Sequence, residues 1–129
     1  MHDNAHILLF RVEKNKIKQI ETLCRSLHIR ITIVKSDSYL QTLGYLARIT
    51  GFKRSSAVYT GPEFPSEMMI FSGMDSERLD EFLAAYIDAA IPPIGLKAII
   101  TPNNIHWNAS MLYKELFKEH QQFQHGKSQ

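Results

Sequence analysis

An α/β fold is what this sequence predicts, and three observations predict it. Short apolar or β-branched runs alternate with stretches of helical period four times over. The stops between them are chemical: cap residues, glycine and proline. Finally, 44% of the 129 residues are hydrophobic and 22% charged, enough for a real core and against global disorder. The order read is βαβαβαβα, a four-stranded, mainly parallel or mixed sheet flanked by helices. A two-layer ferredoxin-like α+β arrangement is the alternative. Residues 1–129 read as one α/β domain of two βαβα halves, 1–50 and 67–120, joined by a loop at 51–66.

His6-Ile7-Leu8-Leu9-Phe10 is a continuous apolar run, the pattern of a strand covered on both faces. After a turn from Val12 to Asn15, Ile17, Ile20, Leu23, Cys24 and Leu27 mark one face of a helix. Cys24 lies on that face, so it reads as a buried, inert thiol with no basic partner spaced to activate it. Ile29 to Val34 is rich in β-branched residues and reads as the second strand. Ser38 and Gln41 have the spacing of a capping box, opening a helix through Leu40, Leu43, Leu46, Ala47 and Ile49 that stops at Gly51.

The loop 51–66 holds two glycines and two prolines, and its Lys53-Arg54-Ser55-Ser56 string reads as plain exposed loop before it reads as a phosphate contact. Met68 to Phe71 is the third strand, ending in Ser72-Gly73. Asp75 is a natural N-cap, with Glu77 placed against the helix dipole. Leu79, Phe82, Leu83, Tyr86, Ile87 and Ala90 follow the helical rule without a miss, and Pro92-Pro93 ends the run. Gly95 to Thr101 is the fourth strand. Lys97 in its middle reads as an edge guard, with a ligand-facing ammonium as the rival. Asn108 then caps a helix carrying Leu112, Tyr113, Leu116 and Phe117, and the tail from His120 is polar and expected to fray.

Between them stands Thr101-Pro102-Asn103-Asn104-Ile105-His106-Trp107, which turn chemistry explains residue by residue. Proline ends the strand ladder, asparagine closes the turn on its own backbone, and Trp107 precedes the cap as a staple toward Leu112 or as a cover for the sheet edge.

The second half resembles a small uncharacterised prokaryotic family, the domain of unknown function numbered 3783. The residues that carry the resemblance are Phe71, Gly73, Leu79, Pro93, Lys97, Ala98, Thr101, Pro102, Asn104, Trp107, Leu112 and Leu116. Asn108 and Arg78 depart from its pattern, both at helix starts. The resemblance covers roughly 55 residues, none of them before Glu67, and implies no activity, because the family has none assigned.

Charge and composition narrow the function classes. Residues 1–61 hold ten Lys/Arg against four Asp/Glu, a net +6, and residues 62–129 hold five against nine, a net −4. Such asymmetry steers a partner or draws two halves together, although solvated faces that merely differ give the same totals. The single cysteine cannot form an intrachain disulfide, no run is long enough to span a membrane, and Met1-His2-Asp3-Asn4-Ala5-His6 lacks a signal peptide's basic start and apolar core, so a cytoplasmic setting is expected. No histidine pair has metal-ligand spacing, and no phosphate loop or nucleophile elbow is visible. A catalytic role is therefore the least supported class, with no catalytic residue, metal or cofactor expected. Arg11, Lys14, Lys16, Lys18 and Arg25 make the first helix and its approach basic, but with few aromatics they do not support nucleic-acid binding.

Two readings remain. One is a non-catalytic interaction or regulatory module, self-associating through a sheet edge or its oppositely charged halves. The other is a small-ligand sensor whose pocket lies at the carboxyl ends of the strands, near Ser72, Gly73, Lys97, Thr101, Asn104 and Trp107.

Overall fold

The structure, a computed structural model, describes residues 4–127, with side chains through Gln121. Part of the N-terminal hexapeptide, Met1 to Asp3, lies outside the described residues, as do Ser128 and Gln129 of the tail. Eight elements run in chain order: β1 (His6–Phe10), α1 (Lys14–Leu27), β2 (Arg30–Val34), α2 (Leu43–Leu46), β3 (Met68–Ser72), α3 (Ser76–Asp88), β4 (Leu96–Ile99) and α4 (Ala109–Lys127), with a 3₁₀ turn at Ser36–Ser38 before α2.

The strands form one mixed sheet in the order β2-β1-β3-β4. β1 runs parallel to β2 with Leu8 opposite Thr32, and β3 runs parallel to β4 with Ile70 opposite Ala98. The two pairs meet antiparallel at the centre, where Leu8 lies opposite Ile70. Both central strands are wholly buried, as their unbroken apolar runs require. Alternation then splits their side chains. Ile7, Leu9, Met69 and Phe71 pack under Ile20 and Cys24 of α1 and Phe82 and Tyr86 of α3. Leu8, Phe10, Met68 and Ile70 pack under Leu43, Leu46, Ala109, Leu112 and Tyr113 of α2 and α4. Helices on both faces exclude the two-layer ferredoxin-like alternative.

The two halves correspond in backbone detail. Arg11 and Gly73, 62 positions apart (73 − 11), both turn out of a central strand with positive φ, at 61° and 67°. Glu13 and Asp75, at the same spacing, cap α1 and α3 with their carboxylates. His28 and Ala90 follow those helices with φ of 60° and 57°. Thr42 and Asn108, 66 apart (108 − 42), cap α2 and α4 and form an isolated antiparallel bridge with each other. The four extra positions lie in the Pro92-Pro93-Ile94-Gly95 link to β4.

Three expectations need correction. The second helix is a single turn, Leu43–Leu46, capped by Thr42 rather than Ser38. Gln41 is buried and instead clamps the connecting loop, its amide bonding both the N–H and the C=O of Ser55. Ile87 is 74% exposed, because Phe82 and Tyr86 take the centre of the α3 stripe and Ile87 ends its outer row. The backbone of α4 continues through the polar stretch after His120 to Lys127.

The connecting loop is anchored by Phe64, whose ring lies between Tyr39 and Tyr113. Its centroid is 3.7 Å from the first at 8° and 4.2 Å from the second at 6°. One side chain thus joins the segment before α2 to α4 across the halves.

Candidate functional site

Because β1 and β3 are antiparallel, the carboxyl ends of the four strands do not converge. Arg11 and the Ser36–Ser38 turn lie at one end of the sheet, and Ser72 and the residues after Ile99 at the other. The register brings Ser72 opposite His6, and His6 opposite Arg30. One end of the sheet therefore combines the finish of β3 and β4 with the start of β1 and β2.

A cleft of 790 Å³ opens there. Arg30 enters it from the start of β2, and Ala47, Arg48, Ile49, Thr50 and Phe52 from the segment after α2. Ser72, Gly73, Ile100, Thr101, Pro102, Ile105 and His106 close the other side, with Asn4 at the rim. Both halves of the chain thus build it, and its lining contains two arginines and no carboxylate.

Arg48 owes its place to helix termination. Its N–H donates to Tyr45 C=O at 3.0 Å and the Ile49 N–H to Gly44 C=O at 2.9 Å, a Schellman end that puts Arg48 at φ 59°. Glycine is the usual residue there, since a Cβ in the left-handed region costs about 1 kcal/mol. His28 and Ala90 end α1 and α3 in the same way. Arg48 differs in where its side chain is delivered: it also lines two smaller neighbouring clefts, of 370 and 350 Å³. Neither the Arg30 nor the Arg48 guanidinium has a hydrogen-bond or ion-pair partner among the described residues.

His6 is buried, and it lines the 370 Å³ cleft together with Arg30, Arg48 and Glu21. Its Nδ1 sits 3.2 Å from Ala47 C=O, which only accepts, so Nδ1 carries the proton. Nε2 then accepts from the Thr32 hydroxyl at 2.7 Å. Burial holds its pKa below the ordinary value of 6.5. The Ala47 hydrogen bond opposes that shift, while the positive charges of Arg30 and Arg48 reinforce it.

The residues nominated from the sequence separate into two groups. Ser72, Gly73 and Thr101 line the cleft; Lys97, Asn104 and Trp107 do not. Asn104 is spent on the turn, its Oδ1 accepting from Thr101 N–H at 2.9 Å and its Nδ2 donating to Ile99 C=O at 3.1 Å. Lys97 is exposed on the edge strand β4 and donates to Ile94 C=O at 2.7 Å. Trp107 packs half-buried against the core that contains Leu112, and its C=O accepts from Leu43 N–H at 2.8 Å. Gly73 serves a contact inside the chain: a Cβ there would lie 2.3 Å from the Asn4 carbonyl oxygen. Asn108 caps α4 as expected, accepting from Met111 N–H at 2.8 Å.

Arg30, Arg48, Phe52 and His106 were not nominated from the sequence as ligand contacts. The signal for Arg48 was three residues away, in the helix end placed at Gly51. No one-dimensional signal joins Arg30 to it, because their meeting depends on strand order. Elsewhere Cys24 is buried, and desolvation, with the Glu21 charge behind it, pushes its thiol up to about 12, so it is protonated at neutral pH. Among the described residues no helix is long and apolar enough to cross a membrane.

Residues 67–123 match the family model of a domain of unknown function, DUF3783. The resemblance read on Phe71 to Leu116 is borne out over that span. No curated protein and no solved structure matches the chain. The matched segment carries Ser72, Gly73 and the Ile100–His106 wall of the cleft, while Arg30, Arg48 and Phe52 lie outside it.

Proposed function

We propose that this chain is a non-catalytic, small-ligand binding module of the prokaryotic cytoplasm whose cleft takes an anion between Arg30 and Arg48. One observation carries the reading: two guanidiniums without ion-pair partners among the described residues line one cleft whose lining has no carboxylate. An anion there gains charge-assisted hydrogen bonds and relieves the repulsion between two like charges. Hydroxyls of Ser72 and Thr101 on the opposite wall supply neutral partners.

A ligand that binds only the folded chain raises its melting temperature. Titration with phosphate, pyrophosphate and di- and tricarboxylates, followed by melting and by the fluorescence of Trp107, the sole indole, tests the reading. A saturable rise in melting temperature, absent in Arg30→Gln and Arg48→Gly, is the expected result. No shift from any anion at low salt would sink it.

A second reading, self-association, is favoured by the sheet edges. Ile33 on β2 is 48% exposed and Ile99 on β4 44% exposed, each on a strand with one free side. Light scattering behind size exclusion tests it, and a monomer at high concentration and low salt counts against it.

A further inference from the structure

The cleft is larger than a simple anion requires, and its remaining surface has a definite chemistry. Phe52 and His106 bring two rings into its wall, with centroids 5.1 Å apart and planes inclined at 44°. The Phe52 ring is held from behind: a Cβ on Gly44 would lie 2.6 Å from its ring carbons, so it rests directly on the bare backbone of the first turn of α2. That turn is tied to the His106 loop by Gly44 N–H donating to Ile105 C=O at 3.0 Å. A backbone hydrogen bond therefore ties together the supports of two rings, one from the connecting loop and one from the second half. Ile49, Ile100 and Ile105 add apolar surface. Ring faces and apolar walls suit a flat heterocycle, and guanidiniums without a partner among the described residues suit an oxyanion. At 790 Å³ the cleft is within the range of sites that enclose whole small molecules.

We propose that the ligand is a nucleotide, its phosphate against Arg30 and Arg48 and its base against Phe52 and His106. The proposal rests on the anion reading above and adds the ring. A doubly charged phosphate matches two cations that have no ion-pair partner among the described residues better than a monocarboxylate does, and the absence of acidic side chains in this cleft's lining removes repulsion of its oxygens. Ser72 and Thr101, on the wall of β3 and β4, offer hydroxyls to the sugar.

Calorimetric titration of the full chain with AMP, GMP and CMP, beside adenosine, inorganic phosphate and benzoate, separates the parts. At least one nucleotide is expected to bind about tenfold or more tightly than phosphate, adenosine or benzoate, since ring stacking and phosphate pairing each contribute. His106→Ala, at an exposed position, is expected to weaken the nucleotide several-fold and leave phosphate unchanged. Arg48→Gly is expected to weaken both. Phe52→Leu repeats the ring test while keeping apolar volume over Gly44. If nucleotides bind no tighter than phosphate, or benzoate outbinds them, the nucleotide inference is overturned while the anion reading survives. If none of the probes binds, the nucleotide inference falls, and the anion reading falls with it when pyrophosphate and the di- and tricarboxylates also fail to bind.

Discussion

Arg48 and Gly73 sit at left-handed positions on opposite walls of the cleft, and replacing either separates backbone demand from side-chain purpose. Arg48→Gly removes a Cβ from a C′ position at φ 59°. It is expected to leave the fold as stable or raise it by up to about 1 kcal/mol in urea unfolding, the usual gain for glycine in a Schellman end. Lost anion binding with retained stability would mark Arg48 as a ligand residue. Gly73→Ala should go the other way, because φ 67° is compounded by a Cβ 2.3 Å from the Asn4 carbonyl oxygen. A loss of about 2–4 kcal/mol is expected, since backbone must move to admit the methyl; a neutral result would show that the Asn4 segment yields. His6 adds a pH dependence. Its folded pKa lies below 6.5, so below that pH the unfolded chain takes the proton more readily. The stability contributed by neutral His6 is complete above 6.5 and lost as pH falls through the folded value. Urea unfolding between about pH 7 and 5 should therefore fall more steeply for the natural chain than for His6→Asn. Equal slopes would rule out this linkage.

At the scale of elements, legibility followed how much of each element's stability is local. α1 and α3 were readable because their apolar periods run over several turns, and Asp75 announces its helix. α2 was not, since one turn capped by Thr42 leaves no period to count, and Gln41, whose spacing imitated a capping box, serves a loop 14 residues away. The connector showed the same limit. Prolines and glycines mark 51–66 as irregular, but nothing local says that Phe64 stacks between Tyr39 and Tyr113. Phe64→Ala should cost about 3–5 kcal/mol, from lost burial plus the gap left between two rings. Thermal and urea unfolding would check this; a loss under about 1 kcal/mol would mean that the rings close onto each other. The Lys16–Glu67 ion pair ties the residue just past the connector to α1, where the carboxylate also accepts from Glu13 N–H and the ammonium donates to Pro93 C=O. Its charges are spaced 51 apart in sequence, so no local pattern foretells it.

For the molecule as a whole, the α/β class could be read from alternation, but the antiparallel seam between β1 and β3 could not. Apolar runs such as Ile7–Phe10 and Met68–Phe71 look the same in either direction, and the seam decides where strand ends meet. That is why the sequence points to Ser72, Gly73 and Thr101, which line the cleft, and not to Arg30 and Arg48. The seam also bears on the family match, which begins at residue 67 and so takes in only half of the sheet. Cut from residues 1–61, β3 loses its five-residue pairing with β1 and becomes an edge with both faces apolar. The cut also removes the Leu43–Trp107, Gly44–Ile105 and Ser110–Tyr39 backbone hydrogen bonds and the Tyr39 face of the Phe64 stack. A two-stranded remnant with two helices has little core to set against the entropy of ordering it. Residues 62–129 expressed alone are therefore expected to show no cooperative melting and poor amide dispersion in NMR spectra. Adding residues 1–61 should restore both, helped by the opposite charges of the segments, +6 and −4 from ten against four and five against nine charged residues. A cooperative, well-dispersed 62–129 fragment would instead establish the matched segment as a domain that folds without its partner half. The cleft, built from both halves, would then form only when the two meet.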